Sequence, residues 1–446
     1  MAKTYDTYKD SGIAWIGEIP GEWEVCRLKS QFKASKGLNI TKENLKDEGY
    51  PVISYGQIHA KNNCGTRISQ ELIRFVSNSY IDSNPECLTN KGCFIFADTS
   101  EDIEGCGNAV YVNSGSIFAG YHTIILKPKF GTSNKYLAYL FLTDCWRSQI
   151  RASVSGIKVL SITQKIINTT SILLPPLSVQ QSISSFLDTK CSEIDSLISI
   201  QEEMISELLA YKQSVITEAV TKGLDKKPKM KNSGVEWIGD IPEEWEVKFL
   251  LKIIWLRARL GWKGLKAEEY VESGYPFLSA FNIVNNQLVW SDLNYINKQR
   301  YEESPEIKLS IGDVLIVKDG AGIGKTVRIQ ELPYGESTVN SSLGVITPSK
   351  ILNYHFLYYF LLSNPFQNMV GFLKNGMGVP HLTQENMKSV LIPLPPLPIQ
   401  QAIATYLDEK TSQIDSLIAL KQSKIESLKE YKKSIIYEYV TGKKRV

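Results

Sequence analysis

No cysteine lies beyond Cys191, and the seven up to that point include no C-x-x-C pair. Any fold common to both halves of the chain therefore stands without disulfides or thiolate metal ligation. Only four histidines occur (His59, His122, His355 and His381), too far apart in sequence for the ligand spacing of structural zinc. No apolar run approaches the roughly 18 to 20 residues that cross a bilayer. The opening MAKTYDTYKDSG lacks the apolar stretch of a secretory signal. A cytoplasmic location is expected.

An excess of charge is also missing. Lys and Arg number 50 against 47 Asp and Glu, a net +3. By count, residues 1–222 carry 22 basic and 23 acidic groups (−1), and residues 223–446 carry 28 and 24 (+4). Bulk charge does not announce a nucleic-acid partner, so such contact needs local basic patches or help from another subunit. At 446 residues, 43% hydrophobic and 22% charged, the chain has the composition of a globular protein with two or three domains.

What the chain does have is repetition. Ser11 to Val25 (SGIAWIGEIPGEWEV) matches Ser233 to Val247 (SGVEWIGDIPEEWEV) at 11 of 15 positions. Leu173 to Ser199 matches Pro393 to Ala419 at 16 of 27. The stretches between them have diverged, keeping a faint register: Gly49-Tyr50-Pro51 with Gly274-Tyr275-Pro276, and Thr163-Gln164 with Thr383-Gln384. A shared frame around unlike centres suits a molecule presenting two different surfaces in one geometry. The boundaries expected are a first body over 1–175, a helix over 176–222, a linker over 223–232, a second body over 233–393 and a second helix over 394–442.

Within the bodies, short β-branched and aromatic runs (Cys93 to Ala97, Ser116 to Leu126, Val314 to Val317, Leu343 to Ile346) are broken by Gly, Asn and Pro. They predict a twisted, mostly antiparallel sheet. Helices are expected over about Asn134 to Arg151 and about Tyr354 to Leu373. After Pro175-Pro176 and Pro395-Pro396, apolar residues recur in steps of three and four without further proline. The seam expected is Ile183, Leu187, Ile194, Leu197, Met204, Leu208, Tyr211 and Val215, with Ile403, Leu407, Ile414, Leu417, Leu428, Tyr431 and Ile435 in the second copy. That is the spacing of a coiled coil. Lys190 and Lys410, like Gln201 and Lys421, interrupt this seam, either fixing its register or laying their stems along it. Each helix has a full apolar stripe, and the simplest burial is of one against the other. A pseudo-twofold relation makes them antiparallel, with a body at each end and the opening arm beside the end of the second helix. The fold class expected is α+β: two tandem, similar mixed α/β domains joined by a long antiparallel two-helix coiled coil.

Catalytic patterns are incomplete. Asp319 to Thr326 (DGAGIGKT) resembles a phosphate-binding loop, but its first Gly position is Asp, and a strand pattern follows where a helix must open. Asn364-Pro365-Phe366 and Asn84-Pro85-Glu86 fall short of an amine-methyltransferase motif. The chain reads as non-catalytic, with no cofactor or metal of its own. Basic and amide side chains do cluster at matching places: Lys33 and Lys36 with Arg257, Arg259 and Lys263; Gln57, His59, Lys61, Asn62 and Asn63 with Asn282, Asn285 and Asn286; Arg151 and Lys158 with Lys374. Lys325 stands in the Gly-rich turn. Lys and Arg suit phosphates, and Asn, Gln and Arg suit base edges, so these are the candidate DNA contacts. Solvated loop polarity is the plainer alternative for each.

The repeated Ser-Gly-x-x-Trp-Ile-Gly-x-Ile-Pro arm, the Leu-Pro-Pro-Leu-x-x-Gln-Gln hinge and the Ile-Asp-Ser-Leu-Ile helix occur in both halves. With Thr217 to Gly223 (TEAVTKG), they resemble the specificity subunit of type I restriction-modification enzymes over essentially the whole chain. The resemblance implies two target-recognition domains reading a split, asymmetric DNA sequence. It implies helices that act as a spacer and dock methyltransferase subunits, expected in two copies, with a motor-nuclease subunit joining for cleavage. S-adenosylmethionine, ATP and magnesium are expected on those partners. The alternatives are a coiled-coil assembly scaffold and a nucleotide-binding enzyme using Gly320 to Thr326.

Overall fold

The structure is a computed structural model, and it describes residues 4–130, 134–225, 227–259, 265–320, 322–374, 381–387 and 389–446. It divides into two compact units, Met1–Ile200 with Ser423–Val446, and Gln201–Gln422. The division falls partway along two long helices, Leu177–Lys222 and Leu397–Val440. Each unit therefore holds one body, the first part of the helix that follows it, and the last part of the other helix.

In the first unit, one sheet runs in the order Ala109–Tyr111, Phe94–Ala97, Thr123–Pro128, Phe32–Lys36, antiparallel throughout. A second runs Arg74–Val76, Tyr50–Ile53, Ser116–Ala119, Leu88–Asn90, with one parallel pairing that sets Val52 opposite Phe118. The second unit has the same plan. Thr326–Arg328, Val314–Val317, Leu343–Pro348 and Ile254–Ala258 form its antiparallel sheet. In its smaller sheet, Phe277 stands parallel to Thr338. Both bodies are one fold, and central strands such as Phe94–Ala97 and Val314–Val317 are buried along their whole length because side chains pack on both faces.

Three expectations need correction. The run Ser116 to Leu126 is two strands, because His122 takes a left-handed backbone (φ 53) between Ser116–Ala119 and Thr123–Pro128. Each helix expected beside the sheet is two: Asn134–Leu140 and Asp144–Arg151, then Tyr354–Leu362 and Asn364–Lys374. At both breaks a residue in extended conformation, Thr143 or Ser363, donates its hydroxyl back to the carbonyl three residues earlier, and at the second Pro365 also lacks the N–H that would continue the helix.

The third correction concerns the helix seam. Ile183, Leu187, Ile194 and Val215 are buried, as are Ile403, Leu407, Ile414 and Ile435, and Leu208 and Leu428 are half-buried. Leu197, Met204 and Tyr211 are exposed, however, as are Leu417 and Tyr431. The buried line passes through their neighbours: Cys191, Ile194, Ile198, Ile205, Leu208, Lys212 and Val215. With half-buried Gln201 in both, the two lines step by four and three and share Ile194, Gln201, Leu208 and Val215. The pattern alone does not choose between Leu197 and Ile198, or between Met204 and Ile205. Lys190 lies off this line and pairs with Glu193 instead.

The direction of the pair is antiparallel within each unit. In the first, Asp195 meets Lys432 at 2.6 Å while Phe186 stacks near Tyr439 at 4.4 Å, so one number falls as the other rises. In the second, Lys212 meets Asp415 at 2.7 Å, and Ala219 and Val220 share a core with Ile403 and Leu407. Asp195 and Asp415 are repeat equivalents, as are Lys212 and Lys432, so the same polar layer is used twice. Each body is tied to its helices by matching bonds. Tyr139 donates to Asp188 at 2.8 Å, and Tyr359 donates to Asp408 at 2.6 Å. The opening arm packs where expected, since Gly442, at φ 72, lies against Pro20 and Trp23, while Gly223, at φ 81, lies against Trp245. A side chain at Gly442 would overlap the Pro20 ring. All seven cysteines are free thiols, and burial pushes the Cys87 and Cys191 thiols up to about 11.

Candidate nucleic-acid interface

In both bodies the central strand ends at one rim of the sheet, where loops from several elements converge. In the first unit it delivers Asp98. The Asp98 amide donates to the His122 carbonyl at 3.1 Å, and its carboxylate meets His122 Nδ1 at 3.2 Å. The His122 imidazole is exposed, and the Tyr55 ring stands 5.4 Å from it and 5.6 Å from Tyr121. Tyr55 opens a short helical turn, Tyr55–Ile58, with Ser54 as its cap. Gln57 Oε1 accepts the Ser54 amide at 3.1 Å, which closes that turn. The adjacent loop exposes Glu101, Asp102 and Glu104, so phosphate contact on that side is disfavoured.

The second unit builds the same rim from other side chains. Lys318 donates its amide to Ser342 O at 2.9 Å, and its ammonium meets Asp319 at 2.8 Å. His381 Nδ1 meets the other Asp319 oxygen at 2.6 Å. Burial works to raise the Asp319 pKa, but the hydrogen bonds from Lys318 and His381 outweigh it and hold the carboxyl below its ordinary value. Ser279 caps the turn Ala280–Asn282, and Ser342 Oγ accepts the Ala280 amide at 3.3 Å. A tight hairpin follows, with Asn285 and Asn286 at φ 51 and 57, the conformation such two-residue turns require. The Gly-rich stretch is a turn between strands: Val317 N–H donates to Lys325 O at 2.8 Å, and Thr326–Arg328 continues as strand. With no helix opening there, a phosphate loop is excluded.

The rim sorts the candidate contacts. Lys33, Lys36, Lys61, Asn62, Lys158, Asn285 and Lys325 are exposed. Several others are occupied in holding the fold. His59 Nε2 meets Thr99 O at 2.8 Å, and its Nδ1 faces Asn108 Nδ2 at 3.1 Å. Asn63 donates to Ile58 O and Ala109 O, while its carbonyl accepts from Gly65. Gln57 and Asn282 close capping turns, and Asn286 Oδ1 accepts the Thr326 amide. Arg257 is 8% exposed and paired at 3.0 Å with Asp313, itself 1% exposed. Arg259 is buried with its guanidinium 5.5 Å from the Phe277 ring centre. Arg151 is bonded to Asp144 and Glu104 O. Lys263 and the side chain of Lys374 lie outside the described residues. Amides and guanidinium groups that suit base edges also suit turns and buried carboxylates, and sequence does not separate the two uses.

Phe281, Lys318, His122 and His381 stand at the rims without belonging to any sequence motif. Phe281 is 93% exposed on the capped turn, where the first body has Gly56. Nothing local marks it, since an aromatic residue among polar neighbours reads as a core anchor.

Other exposed apolar residues recur. Leu197 and Ile200 are exposed on the first helix in the first unit, and their repeat equivalents Leu417 and Leu420 on the second helix in the second unit; Tyr211 and Tyr431 are likewise both exposed, whereas Lys424 stands where the first helix has Met204. Trp15 and Trp237, at the same place in the two arms, are both exposed as well.

Among the described residues, no helix is long and apolar enough to cross a membrane. The model of the type I restriction modification DNA specificity domain matches twice, over residues 20–208 and 242–430. The type I restriction enzyme MjaVIII specificity subunit of Methanocaldococcus jannaschii is 26% identical over 440 residues, covering 96% of this chain and 94% of that protein. The EcoKI specificity subunit of Escherichia coli is 28% identical over 209 residues, covering 46% of this chain and 44% of that one. A chain solved in work on complex assembly and conformational transition of the type I R-M system superimposes with a TM-score of 0.72 at 18% identity, covering 95% of this chain and 98% of that one. With two family matches spanning most of the sequence and the same fold built twice, the chain belongs to the type I restriction-modification DNA specificity family.

Proposed function

We propose that the two rims are reading heads for the two unlike halves of one split DNA target, and that other subunits perform the reaction. The observation that carries this reading is the contrast between frame and rim. Arms, hinges, helix layers and strand order recur, whereas equivalent rim positions hold Asp98 and Lys318, His122 and Ser342, Gly56 and Phe281. Conserving a scaffold while changing the groups at its rim is what two base sequences require.

The repeated surfaces are proposed to serve partners. Exposed apolar residues presented twice, with an exposed Trp in each arm, fit two copies of one methyltransferase subunit, because aromatic anchors dominate interface energetics. A motor-nuclease subunit joins this assembly for cleavage. S-adenosylmethionine, ATP and magnesium belong to those partners, and the complex works in the cytoplasm.

The near-balanced charge makes a further demand. With a net charge of only +3 and carboxylates at the first rim, the isolated chain is expected to bind DNA weakly and to lose that binding steeply with salt. In the methyltransferase complex, binding tightens because the partner neutralises phosphates. Fluorescence anisotropy on labelled duplexes across a salt series, with and without methyltransferase subunits, measures this. Nanomolar, sequence-selective binding by the chain alone in physiological salt would refute it.

A further inference from the structure

We infer that Phe281 is a base-reading residue of the second head, and that its ring packs against the C5-methyl group of a thymine in the target. This rests on the reading of the rims as DNA-recognition surfaces and names one contact within it. Phe281 is 93% exposed, yet its backbone is held. Asn282 Oδ1 accepts the Ser279 amide at 2.9 Å, the Val289 amide donates to Asn282 O at 2.9 Å, and the Ala280 amide donates to Ser342 Oγ. The Ser342 carbonyl in turn accepts the amide of Lys318, so the turn that carries the ring is tied to the strand end that carries Lys318 and Asp319, whose carboxylate His381 also meets. A large apolar group on a fixed turn amid polar neighbours is unfavourable in water and gains on meeting an apolar patch. On duplex DNA the major-groove apolar patch is the thymine methyl, which aromatic side chains contact.

The alternative occupant, a protein partner, fits less well. Surfaces for a partner bound twice recur in both halves, as Trp15 and Trp237 do, whereas the position equivalent to Phe281 is Gly56. A side chain present in one head only belongs with what differs between the half-sites.

The test uses the full chain assembled with its methyltransferase subunits. Methylated positions from a genomic DNA pool first give the target of the unaltered complex. Absence of any bipartite target would sink the reading of the rims, separately from this inference. Given a target, Phe281→Ala is expected to relax selectivity about tenfold at one A·T pair in one half-site only. Phe281→Leu, which keeps an apolar tip, is expected to retain part of it. Replacing that thymine by uracil, which removes only the methyl group, should weaken the unaltered complex about as much and leave Phe281→Ala unaffected. Three results would overturn the inference: an unchanged target for Phe281→Ala, equal relaxation of both half-sites, or equal sensitivity of both proteins to uracil.

Discussion

Leucines 187 and 197 both belong to an apolar pattern of the first long helix, and truncating each separates the two possible seams. Leu187 is fully buried, whereas Leu197 is 47% exposed. Leu187→Ala removes buried methyl groups and leaves a cavity among Ile183, Cys191 and Ile194, at a cost of about 2–5 kcal/mol. Leu197→Ala opens no cavity and forfeits only partial burial, about 1 kcal/mol or less. For a unit of this size each kcal/mol moves the thermal midpoint by about 2–4 °C, so a loss of about 3 kcal/mol lowers it by about 6–12 °C at Leu187 and a few degrees at most at Leu197. Circular dichroism at a helix wavelength during heating measures both. The exposed leucine should instead matter to the partner: Leu197→Ala is expected to weaken methyltransferase association about fivefold or more, as loss of an interface anchor does. Equal destabilisation by the two substitutions would place Leu197 in the seam after all. Unchanged association would remove Leu197 from the docking surface.

The buried pair tests whether Arg257 reads DNA or holds the fold. Arg257→Ala strands the Asp313 carboxylate, which also accepts from Thr347 Oγ1 and from the Ser310 amide, and should cost about 3–5 kcal/mol. Adding Asp313→Leu should recover much of that, and a lost DNA contact at unchanged thermal midpoint would contradict this assignment. His355 supplies a pH dependence. Burial first, then the Arg328 guanidinium, lowers its pKa from 6.5, with Asp408 opposing. Its Nδ1 faces Arg328 Nη1 at 2.7 Å, an acceptor's position for the neutral ring. The folded chain then binds this proton less readily than the unfolded chain. The stabilisation is complete above the ordinary pKa and is lost as pH falls through the lowered one. The thermal midpoint should therefore drop between pH 7.5 and pH 5 by less in His355→Gln than in the unaltered chain, and equal drops would show that His355 does not contribute.

The architecture was legible because duplication writes it twice. Paired prolines, matched arms and apolar periodicity located the helices, and Gly-Tyr-Pro with Thr-Gln aligned the bodies. The phase of the seam was not legible, because Leu197 with Ile198 and Met204 with Ile205 offer apolar side chains to either line. Nor was the break at Thr143, which no Pro or Gly marks, whereas Pro365 is a signal for the break at Ser363. Exposure was only partly legible: Lys36 at a strand end, and Asn285 and Lys325 in turns, are exposed. His59, Asn63 and Arg257 are instead held by long-range partners such as Asn108, Ala109 and Asp313. Such partners are set by the fold and leave no local trace in sequence.

Methylation mapping of host genomic DNA, with this gene intact and deleted, tests the central claim most directly. Two heads of one fold with unlike rims predict a single motif that disappears on deletion, made of two different short sequences separated by a fixed run of unspecified bases. A lost motif that is one contiguous block, or an unchanged methylation pattern, would contradict it.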